Sequence, residues 1–121
     1  MTRANKKLRA YRFGLWAEWL CIMSLMLTGH HILARRYRNS HGEIDLIAKR
    51  GKQLVFIEVK ARQQVDDGLH ALKPAQQQRI VRAASAFLAN HPAYQELRIR
   101  FDFMVVSGIK WPKHIRHAFE A

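Results

Sequence analysis

The run from Gly42 to Arg62, GEIDLIAKRGKQLVFIEVKAR, constrains this chain more than any other. Polar and apolar residues alternate with period two on both sides of Arg50-Gly51, the pattern of two antiparallel strands joined by a tight turn. A glycine there suits the left-handed backbone of a two-residue hairpin loop. On the first arm Ile44, Leu46 and Ala48 alternate against Asp45 and Ile47. On the second, Val55, Ile57 and Val59 alternate against Leu54, Phe56, Glu58 and Lys60. With Arg50-Gly51 as the loop, Asp45 falls opposite Phe56, Glu58 is its diagonal neighbour on the same face, and Lys60 lies one step further. A four-residue loop keeps that parity, and a three-residue loop or a bulge breaks it.

One sheet face would then carry two carboxylates and an ammonium among Leu, Ile and Phe. Two readings stand at this point. The hairpin is half exposed with ordinary surface charges, or the charges are held for a purpose. Burying charge is costly without a partner or a metal. The run LVFIEVKA is too apolar for a solvated strand, which favours the second reading. A hard divalent cation takes carboxylate oxygens and substrate phosphate oxygens, and a neighbouring lysine neutralises charge as a phosphodiester reacts.

Asp45 followed by Glu58-Val59-Lys60 resembles the PD-(D/E)XK nuclease core, and GEIDLIA with LVFIEVKAR is similar to the YraN family of bacterial proteins, itself similar to archaeal Holliday junction resolvases. The resemblance extends from about Gly14 to Asp102, through Glu18, Arg79-Ile80, Ala83-Ala84 and Arg100-Phe101-Asp102. Gln76 stands where such sequences often carry a lysine. The resemblance implies a restriction-endonuclease-like α/β fold and phosphodiester hydrolysis on DNA, branched DNA included. Asp45, Glu58 and the Val59 carbonyl would hold Mg²⁺ or Mn²⁺, Lys60 would orient or activate water, and Glu18 would assist the metal or the water. It also implies a homodimer, if the protein is resolvase-like, and a cytoplasmic location.

Composition agrees with a polyanionic partner. The chain has 121 residues, one domain's worth, with 21 Lys and Arg against 9 Asp and Glu, a formal net charge of +12. Acids are scarce enough that Glu18, Asp45 and Glu58, all in apolar or β-patterned surroundings, need a reason to be there. Arg35, Arg36, Arg38, Lys49, Arg62, Lys73 and Arg79 are the candidate DNA contacts, with Tyr37 among the arginines for base stacking. Charge protection of an edge strand explains the arginine cluster equally well. The lone Cys21 excludes an internal disulfide and is expected as a buried, inert thiol. Seven histidines show no zinc-type spacing with it.

The remaining elements follow from periodicity. Residues 1–12 are expected as a basic, mobile arm, and residues 13–121 as the domain. A helix is expected from about Leu8 to Leu27, closed by Thr28-Gly29, with Leu15, Trp19, Ile22 and Met26 on its apolar stripe and Glu18 on the same side. The apolar run Leu15–Leu27 is interrupted by Glu18 and falls short of the roughly twenty residues of a membrane span. A strand follows at His31–Arg38, then the turn Asn39–Gly42 and the hairpin. Residues 63–73 read as a loop beside the site, mobile without ligand. Pro74 opens a helix to about Asn90, Leu97–Val106 is a strand, and Trp111–Phe119 a short closing helix. Asp102 is expected to ion-pair with Arg98 and Arg100 in a structural role. The order αβββαβ with a terminal helix makes a mixed central sheet flanked by helices. Beside the nuclease stand two other readings. One is a nucleic-acid-binding module of the same fold without catalysis. The other is a membrane-associated basic helix, against which Glu18 speaks.

Overall fold

The computed structural model describes residues 2–61, 72–108 and 110–121. Arg62 and most of the expected loop at 63–73 lie outside the described residues. The elements are α1 (Arg3–Leu27), β1 (His31–Asn39), β2 (Gly42–Arg50), β3 (Gln53–Ala61), α2 (Pro74–Ala89), a 3₁₀ turn (Pro92–Tyr94), β4 (Arg98–Val106) and β5 (Lys113–Phe119). The five strands form one mixed sheet in the order β1-β2-β3-β4-β5. β3 and β4 run parallel, joined by the crossover through α2, and the other neighbours are antiparallel. This is the α/β architecture expected from the sequence, with one strand more.

The period-two pattern of the hairpin sends its side chains to two cores. Leu46, Ala48, Val55 and Ile57 meet Ala17, Leu20, Cys21 and Leu25 of α1. Ile47, Leu54 and Phe56 meet Ile80, Ala83, Ala84 and Phe87 of α2. Rings dominate the second core: Phe56 stacks on Phe101 at 5.6 Å and meets Phe87 edge-on at 5.9 Å. Burial on both faces is why Leu54 to Ile57 has no solvated side.

Four expectations are corrected. The helix starts at Arg3, capped by the Thr2 hydroxyl, within the stretch expected as an arm. Its inward face is set by Ala17, Cys21 and Leu25, while Trp19 and Met26 point outward. The apolar residues run all round Leu15–Leu27, so period alone could not choose the face. The terminal segment is strand β5 rather than a helix, because it covers the edge of β4. The hairpin pairs Arg50 with Gln53, leaving Gly51-Lys52 as the loop. Gly51, at φ +57, takes the first central position, as a type II′ turn requires. This two-residue slip preserves parity and moves Asp45 from the level of Phe56 to that of Glu58.

Asp102 has the structural role expected, with a different partner set. It is fully buried, and Arg100 grips both its oxygens at 2.8–3.1 Å. His114 of β5 adds a 2.6 Å bond, and the His117 N–H a third direction of support. Arg98 is not among these partners. Burial works to raise the Asp102 carboxyl, but the His114 and Arg100 hydrogen bonds outweigh it and hold it below the ordinary value.

Candidate active site at the strand fork

The ladder between β2 and β3 ends at Leu46–Ile57. Beyond it Asp45 turns its carboxylate into the gap, where Oδ2 accepts the Val59 N–H at 2.8 Å. The Glu58 carboxyl is near enough for the Asp45 charge to act on it, and Lys60 Nζ stands 3.6 Å from Glu58 Oε1. Glu58 is 8% exposed. Burial first, then the charge and hydrogen bond of Asp45, push its pKa up to about 8, with Lys60 pulling the other way. The Glu58 carboxyl therefore keeps its proton at neutral pH. Three of the expected site residues, Asp45, Glu58 and Lys60, are thus brought together.

The route by which they meet differs from the parity argument. Asp45 does not share a sheet face with Glu58. It lines a cavity of about 450 Å³ under α1, with Tyr11, Gly14, Glu18, Arg36 and Arg38. Glu58 lines a smaller one of about 230 Å³ beside α2, with Gln76 and Arg79. Their carboxyl groups meet through the fork, in the plane of the sheet. The reason is a local break in alternation. Arg36 adopts a left-handed backbone (φ +52) in β1, between the pairs Arg35–Leu46 and Tyr37–Ile44 and so level with Asp45. Ile44 and Tyr37 pack toward α2, Leu46 toward α1, and the residues between them fall out of phase.

Glu18 lies in the α1 cavity but is not joined to the two acids. One oxygen accepts from Arg35 Nε at 2.9 Å and the other from Arg36 Nε at 3.1 Å. Among the described residues no three His, Cys, Asp or Glu side chains gather closely enough to hold a metal ion. Asp45 and Glu18 both face Cys21: burial first, then these two charges, push its thiol up to about 12, so it is the inert thiol expected.

The candidate DNA contacts divide between the two mouths of the fork and elsewhere. Arg36 and Arg38 line the α1 cavity, where Arg38 also pairs with Glu43 at 2.9 Å. Arg35 lies over the Trp19 ring at 4.8 Å. Arg79 lines the α2 mouth, and Lys73 occupies the N-cap position of its helix without a side-chain capping bond. Lys49 sits by the hairpin turn, at the far end of β2 from Asp45. Gln76, which stands where such sequences often carry a lysine, lines the α2 mouth, and Tyr11 and Glu43 join the site without having been expected there. Of these two, Glu43, one residue from the Gly42 turn and two from Asp45, carried a positional signal.

Among the described residues no helix is long and apolar enough to cross a membrane. A family model, "Uncharacterised protein family UPF0102", matches residues 17–106, which span α1 from Ala17 through the fork to the end of β4. A UPF0102 protein of Rhodopseudomonas palustris is 47% identical over 118 residues, covering 98% of this chain and 91% of that protein. One from Bradyrhizobium diazoefficiens is 45% identical over 116 residues, 96% of this chain and 87% of its own length. Another, from Mesorhizobium japonicum, is 45% identical over 111 residues, 92% of this chain and 89% of its own length. The matched span contains both GEIDLIA and FIEVKAR, so the resemblance read from those runs holds: the chain belongs to the uncharacterised protein family UPF0102, the YraN family.

Proposed function

We propose that this protein is a divalent-metal-dependent endonuclease that hydrolyses DNA phosphodiester bonds at the fork between β2 and β3. The observation that carries the reading is the meeting of half-buried Asp45, aimed by the Val59 N–H, with buried Glu58 and Lys60 at the fork, where burial and Asp45 push the Glu58 carboxyl up. That donor set fits Mg²⁺ or Mn²⁺: two hard carboxylates and the adjacent Val59 carbonyl, with Asp45 aimed by the Val59 N–H. The bound cation would supply charge against the phosphodiester oxygen and lower the pKa of water. The chain's own groups do the rest. Lys60 orients water and offsets negative charge as it develops. Arg36 and Arg38 at one mouth, and Arg79 with Gln76 at the other, are placed for the phosphates on either side. Branched DNA as substrate and a homodimer with two such forks are the finer parts of the same reading.

A nucleic-acid-binding module without catalysis is the second reading. One observation favours it: Glu18 is occupied by two arginines, leaving the fork two acids rather than three. Cleavage of linear, flapped and four-way DNA with Mg²⁺ and with Mn²⁺ decides between them. The proposed activity requires cutting by the wild type and its loss in both Glu58→Gln and Lys60→Met, with metal-free DNA affinity within a few-fold. A wild type that binds all three substrates and cuts none leaves the binding module. Cutting that survives both substitutions places the chemistry elsewhere.

A further inference from the structure

Glu18 is 7% exposed, yet its two oxygens are each committed to a different arginine. A regular strand would send Arg35 and Arg36 to opposite faces of the sheet. They face the same glutamate only because Arg36 has a left-handed backbone, which a non-glycine residue adopts at an energetic cost. Backbone strain of this kind persists where the surroundings hold it, commonly at binding sites. Its consequence here is geometric. Glu18 grips each guanidinium by Nε, the inner nitrogen, so the outer nitrogens stay available. The Arg36 side chain is 46% exposed and opens into the cavity that Asp45 lines. Tyr11 of α1 lines the same cavity. A planar fork fixed at its base and open at its tip suits a phosphate oxygen pair.

We propose that Glu18 is a positioning residue, which aims Arg36, with Arg35 beside it, as a clamp for a backbone phosphate of the DNA strand entering the fork from the α1 side. The proposal rests on the DNA-directed reading above, and it gives Glu18 a role that does not involve the metal.

Metal-free affinity for a fluorescein-labelled DNA duplex and four-way junction, with Mn²⁺ binding by calorimetry, tests it. Arg36→Gly removes the fork and relieves the left-handed strain, so the variant is expected to fold; Arg36→Lys keeps the charge without the fork. Arg36→Gly weakens DNA binding about tenfold or more, and Arg36→Lys recovers only part of the loss. Lys52→Ala, an equal charge change at the exposed hairpin turn, costs less than about twofold. Glu18→Gln leaves Mn²⁺ affinity within about twofold, and its effect on DNA affinity changes at least about threefold when Arg35 and Arg36 are absent. The proposal is overturned if Arg36→Gly costs no more than Lys52→Ala. It also falls if Glu18→Gln abolishes Mn²⁺ binding, since Glu18 is then a metal ligand. It falls as well if the effects of Glu18 and the arginines simply add. If the wild type binds no Mn²⁺ and cuts nothing while the Arg36 loss persists, the catalytic reading fails and the clamp stands.

Discussion

Replacing Glu58 with glutamine should make the protein more stable, and only above acidic pH. The Glu58 carboxyl moves from 4.5 to about 8 on folding, chiefly because it is buried and faces Asp45. Between those values the unfolded chain has released a proton that the folded chain keeps, so stability falls as pH rises through that window. At about 1.4 kcal/mol per pH unit, the displacement sets a ceiling near 5 kcal/mol. Water entering the fork and relaxation of Lys60 lower it, and about 2–3 kcal/mol is the expected gain for Glu58→Gln at pH 8.5. Glutamine keeps the shape and can still bond Asp45. In a domain this size the gain corresponds to roughly 10 °C in Tm. Thermal or urea unfolding of both proteins from pH 4.5 to 9 measures it, and the difference should close toward pH 4.5. Millimolar Mn²⁺ at pH 8 should raise the wild-type Tm and leave Glu58→Gln unmoved, because binding to the folded state alone adds stability. A difference that stays constant with pH, or a Glu58→Gln variant less stable throughout, would refute the account of Glu58 as a carboxyl kept protonated by burial and by Asp45.

Two more outcomes follow from the charges. Asp102→Asn keeps the volume but leaves Arg100, 4% exposed, without its counter-ion, and should cost about 3–5 kcal/mol by denaturant midpoint; a loss under about 1 kcal/mol would mean Arg100 finds another partner. DNA affinity should fall steeply from low to physiological salt with little preference among duplex sequences, since the proposed contacts run from the fork arginines to phosphates and no groove-reading element is present among the described residues; a flat salt titration contradicts this.

How much of this was legible in the sequence depends on whether the cause was local. The hairpin, its turn glycine and the doubly buried run Leu54–Ile57 could be read because period and turn chemistry act within a few residues. The pairing of Arg100 with Asp102 is likewise a two-residue relation. Arg36 could not be read in this way. Its left-handed backbone answers a carboxylate seventeen or more residues away on α1, and no local pattern announces it. The terminal strand was hidden for a similar reason. His114 and His117 have helical spacing, but the edge of β4 and the buried Asp102 recruit that segment as a strand.

The distribution of countercharge also explains why the fork stands apart. In a chain with 21 Lys and Arg, most of the paired acids meet cations: Glu18 has Arg35 and Arg36, Glu43 has Arg38, and Asp102 has Arg100 and His114. Asp45 and Glu58 instead face each other, with Lys60 at 3.6 Å as the nearby ion-pair partner. An arginine there would have been an easy remedy in so basic a chain, and would have stabilised the fold. Without such an arginine the fork ionises both carboxyls only at a cost, seen in the raised Glu58 carboxyl, and a divalent cation would relieve that cost. For that reason the proposed metal belongs between Asp45 and Glu58 rather than at Glu18, whose charge is already spent on two arginines.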